Sequence, residues 1–267
     1  MSAATAFERV NGARGVWPIA PTPFDDAGAV DFASIDGMTV LGQLGEAPKL
    51  DADEALAVAR RFIGRSPLPV IVGVSAPGFA PMRALARQAM DAGAAGVMIA
   101  PPNTLRTDDQ IVGYYAQAAE AIGADVPFVI QDYPLTFSVQ MSAGVIRRIA
   151  MANPSCAMLK HEDWPGLEKI GALRGFEADG SMRHLSILCG NGGLFLDFEL
   201  ARGADGAMTG YAFADMLVDL VRLAGKGRRD EAHDLFDAHL PLVRYEQQPG
   251  VGLAVRKHVL RRRGLLA

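Results

Sequence analysis

The sequence has little of several features that define large classes of protein. Its 267 residues include two cysteines, Cys156 and Cys189, and both stand among apolar neighbours. We expect them to be reduced core residues of a cytoplasmic protein rather than a disulfide framework. The five histidines show no metal-ligand spacing, so no metal site is expected. No apolar run approaches the length of a membrane span, and residues 1–15 lack the apolar core of a signal peptide.

The sequence also lacks a large excess of positive or negative charge. The formal net charge is −4 at pH 7, which gives no reason to expect nucleic acid as a partner. Basic residues are scattered, except for Arg256-Lys257 and the arginines at 261–263. We interpret this basic cluster as a solvated helix face rather than a binding patch. Neither nucleic acid nor a membrane is therefore an expected partner.

Apolar runs of strand length recur along most of the chain, and helical patterns separate most of them. The clearest helical patterns cover residues 82–92, 110–122 and 143–152. Alternation of this kind predicts parallel strands joined by helical crossovers. The eight runs lie at residues 16–19, 38–41, 70–74, 96–100, 128–130, 157–159, 186–189 and 206–208.

Eight strands in a chain of this length favour an α/β fold, a closed (β/α)8 TIM barrel. A doubly wound sheet is the second interpretation, but it would want a glycine fingerprint after an early strand, and none is present. After the eighth run, residues 215–224, 229–239 and 253–263 have helical periodicity, with breaks at Pro241 and Pro249-Gly250. We therefore predict a barrel over residues 1–212 and a C-terminal helical extension, packed on it, over residues 213–267.

The first crossover is too short for this fold. Asp31 is a plausible N-cap, but few residues separate it from the run that begins at Gly37. A five-residue strand is roughly 16 Å long, and a helix that returns along it needs about eleven residues. We predict that residues are missing from the sequence between Asp36 and Gly37.

The run at residues 157–159 ends on Lys160, after which the sequence becomes polar at once. A buried ammonium group loses hydration, and this favours the neutral amine, which attacks ketones to form a Schiff base. A solvated charge at a strand end remains the alternative from this run alone. In a barrel, chemistry lies in the loops that follow the strands, so Lys160 stands where a catalytic group is expected.

Other polar residues follow the predicted strands, and together they suit a small polar substrate that carries a carboxylate. Glu46 could instead cap the next segment, and the glycines at 190–193 could serve only a turn. The candidates for this set are Gln43, Glu46, Ser75, Asp132, Tyr133, Gly190, Asn191 and Thr209.

Five stretches give the chain a family resemblance: Thr22-Pro23-Phe24, Gly42-x-x-Gly45-Glu46, the turn at Pro134, Lys160, and Gly203-Ala204-Asp205-Gly206. In their order and spacing the chain resembles the dihydrodipicolinate synthase / N-acetylneuraminate lyase family of Schiff-base aldolases and dehydratases. The resemblance implies a (β/α)8 barrel in which Lys160 forms an imine with a 2-oxo acid. It implies no metal or organic cofactor, a homo-oligomer (tetramer or dimer), and a tail that is incomplete after Ala267.

The sequence departs from that family's pattern around the lysine. Gln43 and Leu44 occupy the two places where the family has hydroxyl residues, and Gln131 occupies the place of its catalytic tyrosine. Tyr133 follows two residues later, so it is our first candidate for the proton carrier if its pKa falls or a water molecule relays the proton. Thr136 replaces the arginine with which dihydrodipicolinate synthases bind their second substrate.

Glu46 and Asp132 are the second candidates for proton transfer. We predict that Gln43, Ser75, Gly190, Asn191 and Thr209 contribute to substrate binding.

We therefore predict a lyase that acts on a 2-oxo acid, by aldol cleavage or condensation or by dehydration of a keto-deoxy sugar acid, and not dihydrodipicolinate synthase proper. The first alternative is a family member that binds a 2-oxo acid without turnover. The second is a barrel enzyme that uses Asp132 and Glu46 as acid and base without an imine.

Overall fold

The structure, a computed structural model, describes Glu8 and residues 10–19, 39–43 and 45–266. The first crossover therefore lies outside the described residues, and with it the predicted gap between Asp36 and Gly37. The stretch Thr22-Pro23-Phe24 and Leu44 also lie outside them.

Eight parallel strands form one sheet, in the order β1-β8-β7-β6-β5-β4-β3-β2. An isolated parallel bridge between Ile19 and Thr39 joins the two ends of this order, as in a (β/α)8 barrel. All eight predicted strands are confirmed. Their bounds are β1 Gly15–Val16, β2 Thr39–Val40, β3 Ile71–Gly73, β4 Gly96–Ile99, β5 Phe128–Asp132, β6 Cys156–His161, β7 Ser186–Cys189 and β8 Gly206–Ala207.

Helices follow the strands from β2 onward within the described residues. The helices predicted at 82–92, 110–122 and 143–152 are confirmed as α2, α3 and α5. The bounds are α1 Ala52–Arg65, α2 Phe79–Asp91, α3 Asp108–Ile122, α4 Pro134–Phe137, α5 Ala143–Ala152, α6 Leu167–Ala178, α7 Leu196–Ala201, α8 Ala214–Gly225, α9 Arg229–Glu246 and α10 Gly252–Arg262.

Local side-chain chemistry starts several of these helices. Asp51 forms a capping box with Glu54 at the start of α1, and Thr107 forms one with Gln110 at the start of α3. Each pair satisfies two backbone N–H groups that the first turn of a helix leaves unpaired. One sequence prediction is wrong here, because α9 continues through Pro241 as far as Glu246. Proline removes one backbone hydrogen bond but does not end this helix.

Alternation along the strands divides the apolar residues into two layers. One cluster, which includes Ile71, Met98 and Leu188, fills the inside of the barrel. The other, which includes Val72 and Ile187, lies between the strands and the helices. Neighbours along one strand thus belong to different layers, as expected when successive side chains point to opposite faces.

A β-bulge interrupts this alternation in β6. Phe128 lies opposite Cys156, but the next residue of β5, Val129, lies opposite Met158. Ala157 is therefore an extra residue, and both Ala157 and Met158 belong to the inner cluster. Beyond the bulge, Lys160 lies opposite Gln131.

The C-terminal helices share the core of the barrel. Leu217 and Leu220 of α8 and Phe236 of α9 belong to the same apolar cluster as the outer faces of the strands. The division of the chain at residues 212/213 stays a prediction. Within the described residues, none of the helices is both long enough and apolar enough to cross a membrane.

The basic cluster is not a solvated helix face throughout. Arg256 of α10 is 2% exposed, and its neighbour Lys257 forms an ion pair with Glu46 from the loop after β2. The prediction is wrong for these two residues, because α10 turns them toward the end of the barrel where the strands finish. Arg261 and Arg262 are exposed, as predicted.

Candidate active site

Lys160 lies at the end of β6 with its side chain inside the barrel, and it is 2% exposed. Its Nζ forms an ion pair with Oε2 of Glu162, at 2.6 Å. Glu162 is also buried, and it lies two residues further along, where the extended backbone returns the side chain to the same face. The pair places a carboxylate directly beside the amine, where it can accept the proton that the ammonium must lose before it attacks a ketone.

Glu162 was not among the residues predicted for the site. The signal was present, because Glu162 stands two places after Lys160 and strand periodicity puts the two on one face. The change to polar residues after Lys160 predicts only the end of a strand. The strand path instead continues through Glu162, whose backbone N–H donates to the carbonyl of Asp132 at 2.8 Å.

Two residues from neighbouring strands hold Glu162. Gln131, in the place of the family's tyrosine, donates from Nε2 to Oε2 of Glu162 at 2.9 Å. Asn191, after β7, donates from Nδ2 to the Glu162 carbonyl at 3.0 Å, and its own Oδ1 is buried without a partner among the described residues. A Cβ atom at Gly190 would overlap the Glu162 side chain, so glycine is required there. Gly190 and Asn191 thus lie against Glu162, and their role in substrate binding stays a prediction.

Tyr133 lies just beyond β5, at the start of α4. Burial, followed by the negative charge of Glu162, raises its pKa, against smaller opposing effects from Thr136 and Arg256. The phenol is therefore close enough to sense the charge at Glu162. Tyr133 could carry the proton directly only if its pKa fell toward neutrality, and the pKa is raised instead. Proton transfer through a relaying water molecule stays a prediction.

Asp132 faces away from the lysine. It precedes Tyr133 by one residue, so it points to the outer side of β5, where its Oδ2 pairs with Lys169 of α6 at 2.7 Å. Lys169 also pairs with Asp163 at 2.8 Å. Asp132 thus ties a strand to a helix, and the structure does not bring it together with the inward-facing Lys160.

Glu46 is also held by lysines. Burial alone would raise the pKa of its carboxyl group, but Lys257 and Lys49 together lower the pKa below its ordinary value. An anion of this kind is a weak base. The structure therefore gives neither Glu46 nor Asp132 the free carboxyl group that acid–base chemistry without an imine would need.

The remaining predicted residues lie at three other strand ends. The hydroxyl group of Ser75 accepts from the backbone N–H of Ala100 at 2.8 Å, and that of Thr209 accepts from Gly192 at 2.7 Å. Gln43 is half-buried in the loop after β2. These contacts give Ser75 and Thr209 roles in holding the loops, and any contact with substrate would be additional.

A cavity of about 520 Å³ lies at the other end of the barrel, where β1 and β8 begin. Arg174 lines it and pairs with Glu177 at 2.7 Å and with Asp205 at 2.5 Å. Because these charges satisfy one another, we interpret this end as structural, in keeping with the usual role of this end of a barrel. Among the described residues, no group of three or more His, Cys, Asp or Glu side chains is placed to hold a metal ion.

Comparison with known proteins agrees with this geometry. A sequence profile of the dihydrodipicolinate synthetase family matches residues 13–267. The L-2-keto-3-deoxyarabonate dehydratase of Azospirillum brasilense is 31% identical over 278 aligned positions, which cover 95% of this chain and 86% of that protein. A 4-hydroxy-tetrahydrodipicolinate synthase of Bifidobacterium longum is 26% identical over 94% of this chain and 85% of its own length. A crystal structure of a dihydrodipicolinate synthase from Rhodopseudomonas palustris superposes with a TM-score of 0.93 at 68% identity, covering 95% of this chain and 89% of the other.

Proposed function

The chain belongs to the dihydrodipicolinate synthetase family, whose members are lyases, and we propose that it forms a Schiff base with a 2-oxo acid of the keto-deoxy sugar acid type. The observation that carries the proposal is the buried pair of Lys160 and Glu162, whose Nζ and Oε2 lie 2.6 Å apart inside the barrel. No cofactor is needed, because an imine at Lys160 supplies the electron sink.

In the first half of the reaction, Glu162 takes a proton from Lys160, and the neutral amine attacks the ketone carbon of the substrate. The addition product loses water, and Glu162 returns the proton to the departing oxygen. The product is a protonated imine at C2 of the substrate. Gln131 and Asn191 hold Glu162 in place throughout, so its carboxyl group is ready without rearrangement.

In the second half, the imine makes the C3 hydrogen acidic. Glu162 removes this proton and returns it to the hydroxide that the resulting enamine expels from C4, so that water leaves. Hydrolysis of the imine by a second water molecule then frees Lys160 and releases the dehydrated 2-oxo acid. Aldol cleavage would instead use the same carboxylate to remove the proton of the C4 hydroxyl group, with breakage of the C3–C4 bond. The dehydratase relative favours the first course.

A synthase is the second candidate, because the 68% identical structure is that of a protein described as a dihydrodipicolinate synthase. Thr136, in the place of the arginine that such enzymes use for the second substrate, weighs against it. Asp132 and Glu46 are not proposed as acid and base, since lysines pair with both. A cytoplasmic location and a homotetramer or homodimer stay predictions.

Reductive trapping tests the imine. The protein is incubated with pyruvate and cyanoborohydride, and the adduct is located by mass spectrometry of peptides. We expect one adduct, on Lys160, and none in Lys160→Arg. Lys169→Arg is the matched control, because Lys169 is also a lysine paired with a carboxylate but lies outside the barrel.

Turnover is then measured on a panel of keto-deoxy sugar acids, and separately on pyruvate with aspartate semialdehyde. Dehydration of a panel member supports the proposal. Condensation with the semialdehyde would support the synthase. An adduct without any turnover would support a protein that only binds. An unmodified Lys160 with every 2-oxo acid would sink the proposal.

A further inference from the structure

Arg256, on α10, has one buried nitrogen that has no partner among the described residues. Its Nε donates to Oε2 of Glu246 at 2.6 Å in a buried ion pair. Its Nη1 is enclosed and makes no hydrogen bond to any residue that the structure describes. Buried donors of a guanidinium group are rarely left unpaired, so an acceptor for this nitrogen is expected. A bound ligand could supply that acceptor.

Hydrogen bonds connect Arg256 to the loop that holds Glu162, the partner of Lys160. The amide of Gln247 fits its neighbours when its oxygen accepts from Nη2 of Arg256 at 3.1 Å and from the backbone N–H of Gly192 at 3.2 Å. Gly192 follows Asn191, which donates to Glu162. Arg256 is thus linked through Gln247 to the loop that holds Glu162.

Tyr133 gives a second connection. The charge of Arg256 acts to lower the pKa of the Tyr133 hydroxyl, whereas the charge of Glu162 acts to raise it. The phenol therefore lies within range of both groups. Both charges thus act on one phenol just beyond the end of β5.

A 2-oxo acid brings a carboxylate to a site that already holds Glu162, so hydrogen-bond donors are needed to bind it, and a cation is the strongest kind. The hydroxyl residues that serve this purpose in the family are replaced by Gln43 and Leu44. Lys169 and Lys49, two other described cations near the strand ends, are paired with Asp132 and Glu46. Arg256 is likewise paired with Glu246, but it retains an unused pair of N–H groups on Nη1.

The geometry points to Arg256 as the residue that binds the substrate carboxylate, through Nη1. This inference rests on the proposed function, in which Lys160 forms an imine with a 2-oxo acid. Glu246 and Gln247 hold the guanidinium group in position, and the carboxylate accepts from its free edge. The C-terminal helix thereby supplies the residue that selects a 2-oxo acid over an uncharged ketone.

Trapping with two ketones tests this role. Pyruvate and methyl pyruvate present the same ketone, but only pyruvate carries a carboxylate. The half-saturating concentration for adduct formation on Lys160 is measured for both in the wild type and in a Glu246→Gln/Arg256→Gln variant. Both residues are changed because Arg256→Gln alone would leave a buried carboxylate without its partner. Arg262→Gln, on the exposed side of the same helix, controls for the loss of one positive charge.

We expect the pyruvate value to rise by about 10- to 100-fold in the double variant, as for the loss of a charge-assisted hydrogen bond. The methyl pyruvate value should stay within about twofold, since its ester has no charge for Arg256 to bind. Arg262→Gln should change neither. If the double variant fails to fold, Arg256→Lys carries the same test, because it keeps a cation for Glu246 but loses the planar pair of donors.

An unchanged pyruvate value would overturn the inference and leave the proposed function standing. Equal shifts for the two ketones would also overturn it, because they would mean that Arg256 only supports the fold. A wild-type protein that is trapped by neither ketone would remove the proposed function itself, and the inference with it.

Discussion

Proton transfer at the site is assigned most directly to Glu162. We expect Glu162→Gln to lower kcat by about 10²- to 10⁴-fold, as for the loss of a positioned acid–base group. The amide is isosteric and can still accept from Gln131, but Lys160 loses its buried counter-charge, so the folded state of the variant is checked first by circular dichroism. Adduct formation with pyruvate should persist, although more slowly, because Lys160 remains. Turnover is measured on the best substrate of the panel.

Glu168→Gln is the control for Glu162→Gln. Glu168 is an exposed carboxylate at the start of α6, and its loss should leave kcat unchanged. A Glu162→Gln variant with full turnover would show that another group carries the proton.

Tyr133 is expected to matter less. Its raised pKa keeps the phenol protonated near neutral pH, so it can donate a hydrogen bond but is a poor base. We expect Tyr133→Phe to lower kcat by about tenfold or less, the value of one hydrogen bond. The pH dependence of kcat should keep its shape in this variant. A loss of kcat comparable to that of Glu162→Gln would show that Tyr133 also transfers a proton in the reaction.

At the scale of elements, Lys169 joins α6 to the end of β5 through Asp132. Oδ1 of Asp132 has no partner among the described residues, so Lys169 carries most of the compensation for a buried carboxylate. We expect Lys169→Met to lower the free energy of unfolding by about 3–5 kcal/mol. Chemical denaturation followed by circular dichroism measures this loss.

The double variant Asp132→Asn/Lys169→Met separates pairing from packing. It removes the stranded charge and should recover much of the stability that Lys169→Met loses. Folded protein of either variant should still form an adduct on Lys160, because Asp132 faces the helices. Loss of the adduct in a folded variant would place Asp132 in the chemistry after all.

Periodicity explains which elements and which site residues were predictable. The eight strands of the described residues were predictable because parallel strands buried on both faces are continuous apolar runs. Residues two apart on a strand share a face, which predicts that Tyr133 lies on the side of Gln131. Asp132 stands between them, so the same alternation predicts that it points outward. The burial of Arg256 had no such signal. Helical periodicity tells which residues share a face of α10, but not that this face docks beyond the ends of the strands.

At the scale of the whole molecule, Glu199 should make stability depend on pH. This carboxyl group lies on α7, 1% exposed, with the buried thiol of Cys189 as its hydrogen-bonding neighbour. Burial raises its pKa from the ordinary 4.5 to about 8. Between these values the folded state binds a proton that the unfolded state has released. The contribution of Glu199 to the free energy of unfolding therefore falls as pH rises from about 4.5 to about 8.

Glu199→Gln removes this dependence. Relative to the wild type, the variant should gain about 2–4 kcal/mol of stability between about pH 5 and pH 8, since its amide cannot ionise. Urea unfolding at a series of pH values measures the difference. Glu120→Gln, on the exposed side of α3, should show none. A constant difference across the series would mean that Glu199 is not the titrating group.

The bulge in β6 has a consequence for how such a protein tolerates insertions and deletions during evolution. Cys156 faces the helices and Lys160 faces the interior, although four residues of strict alternation would put the two on the same side. The bulge at Ala157 absorbs the extra residue and so keeps them on opposite sides. Loss of this single codon would leave three regular steps between the two residues, which also put them on opposite sides. A lineage could therefore lose Ala157 and keep the nucleophile facing the interior, whereas a further single-residue change in the regular strand would turn either a core position or the nucleophile to the wrong side.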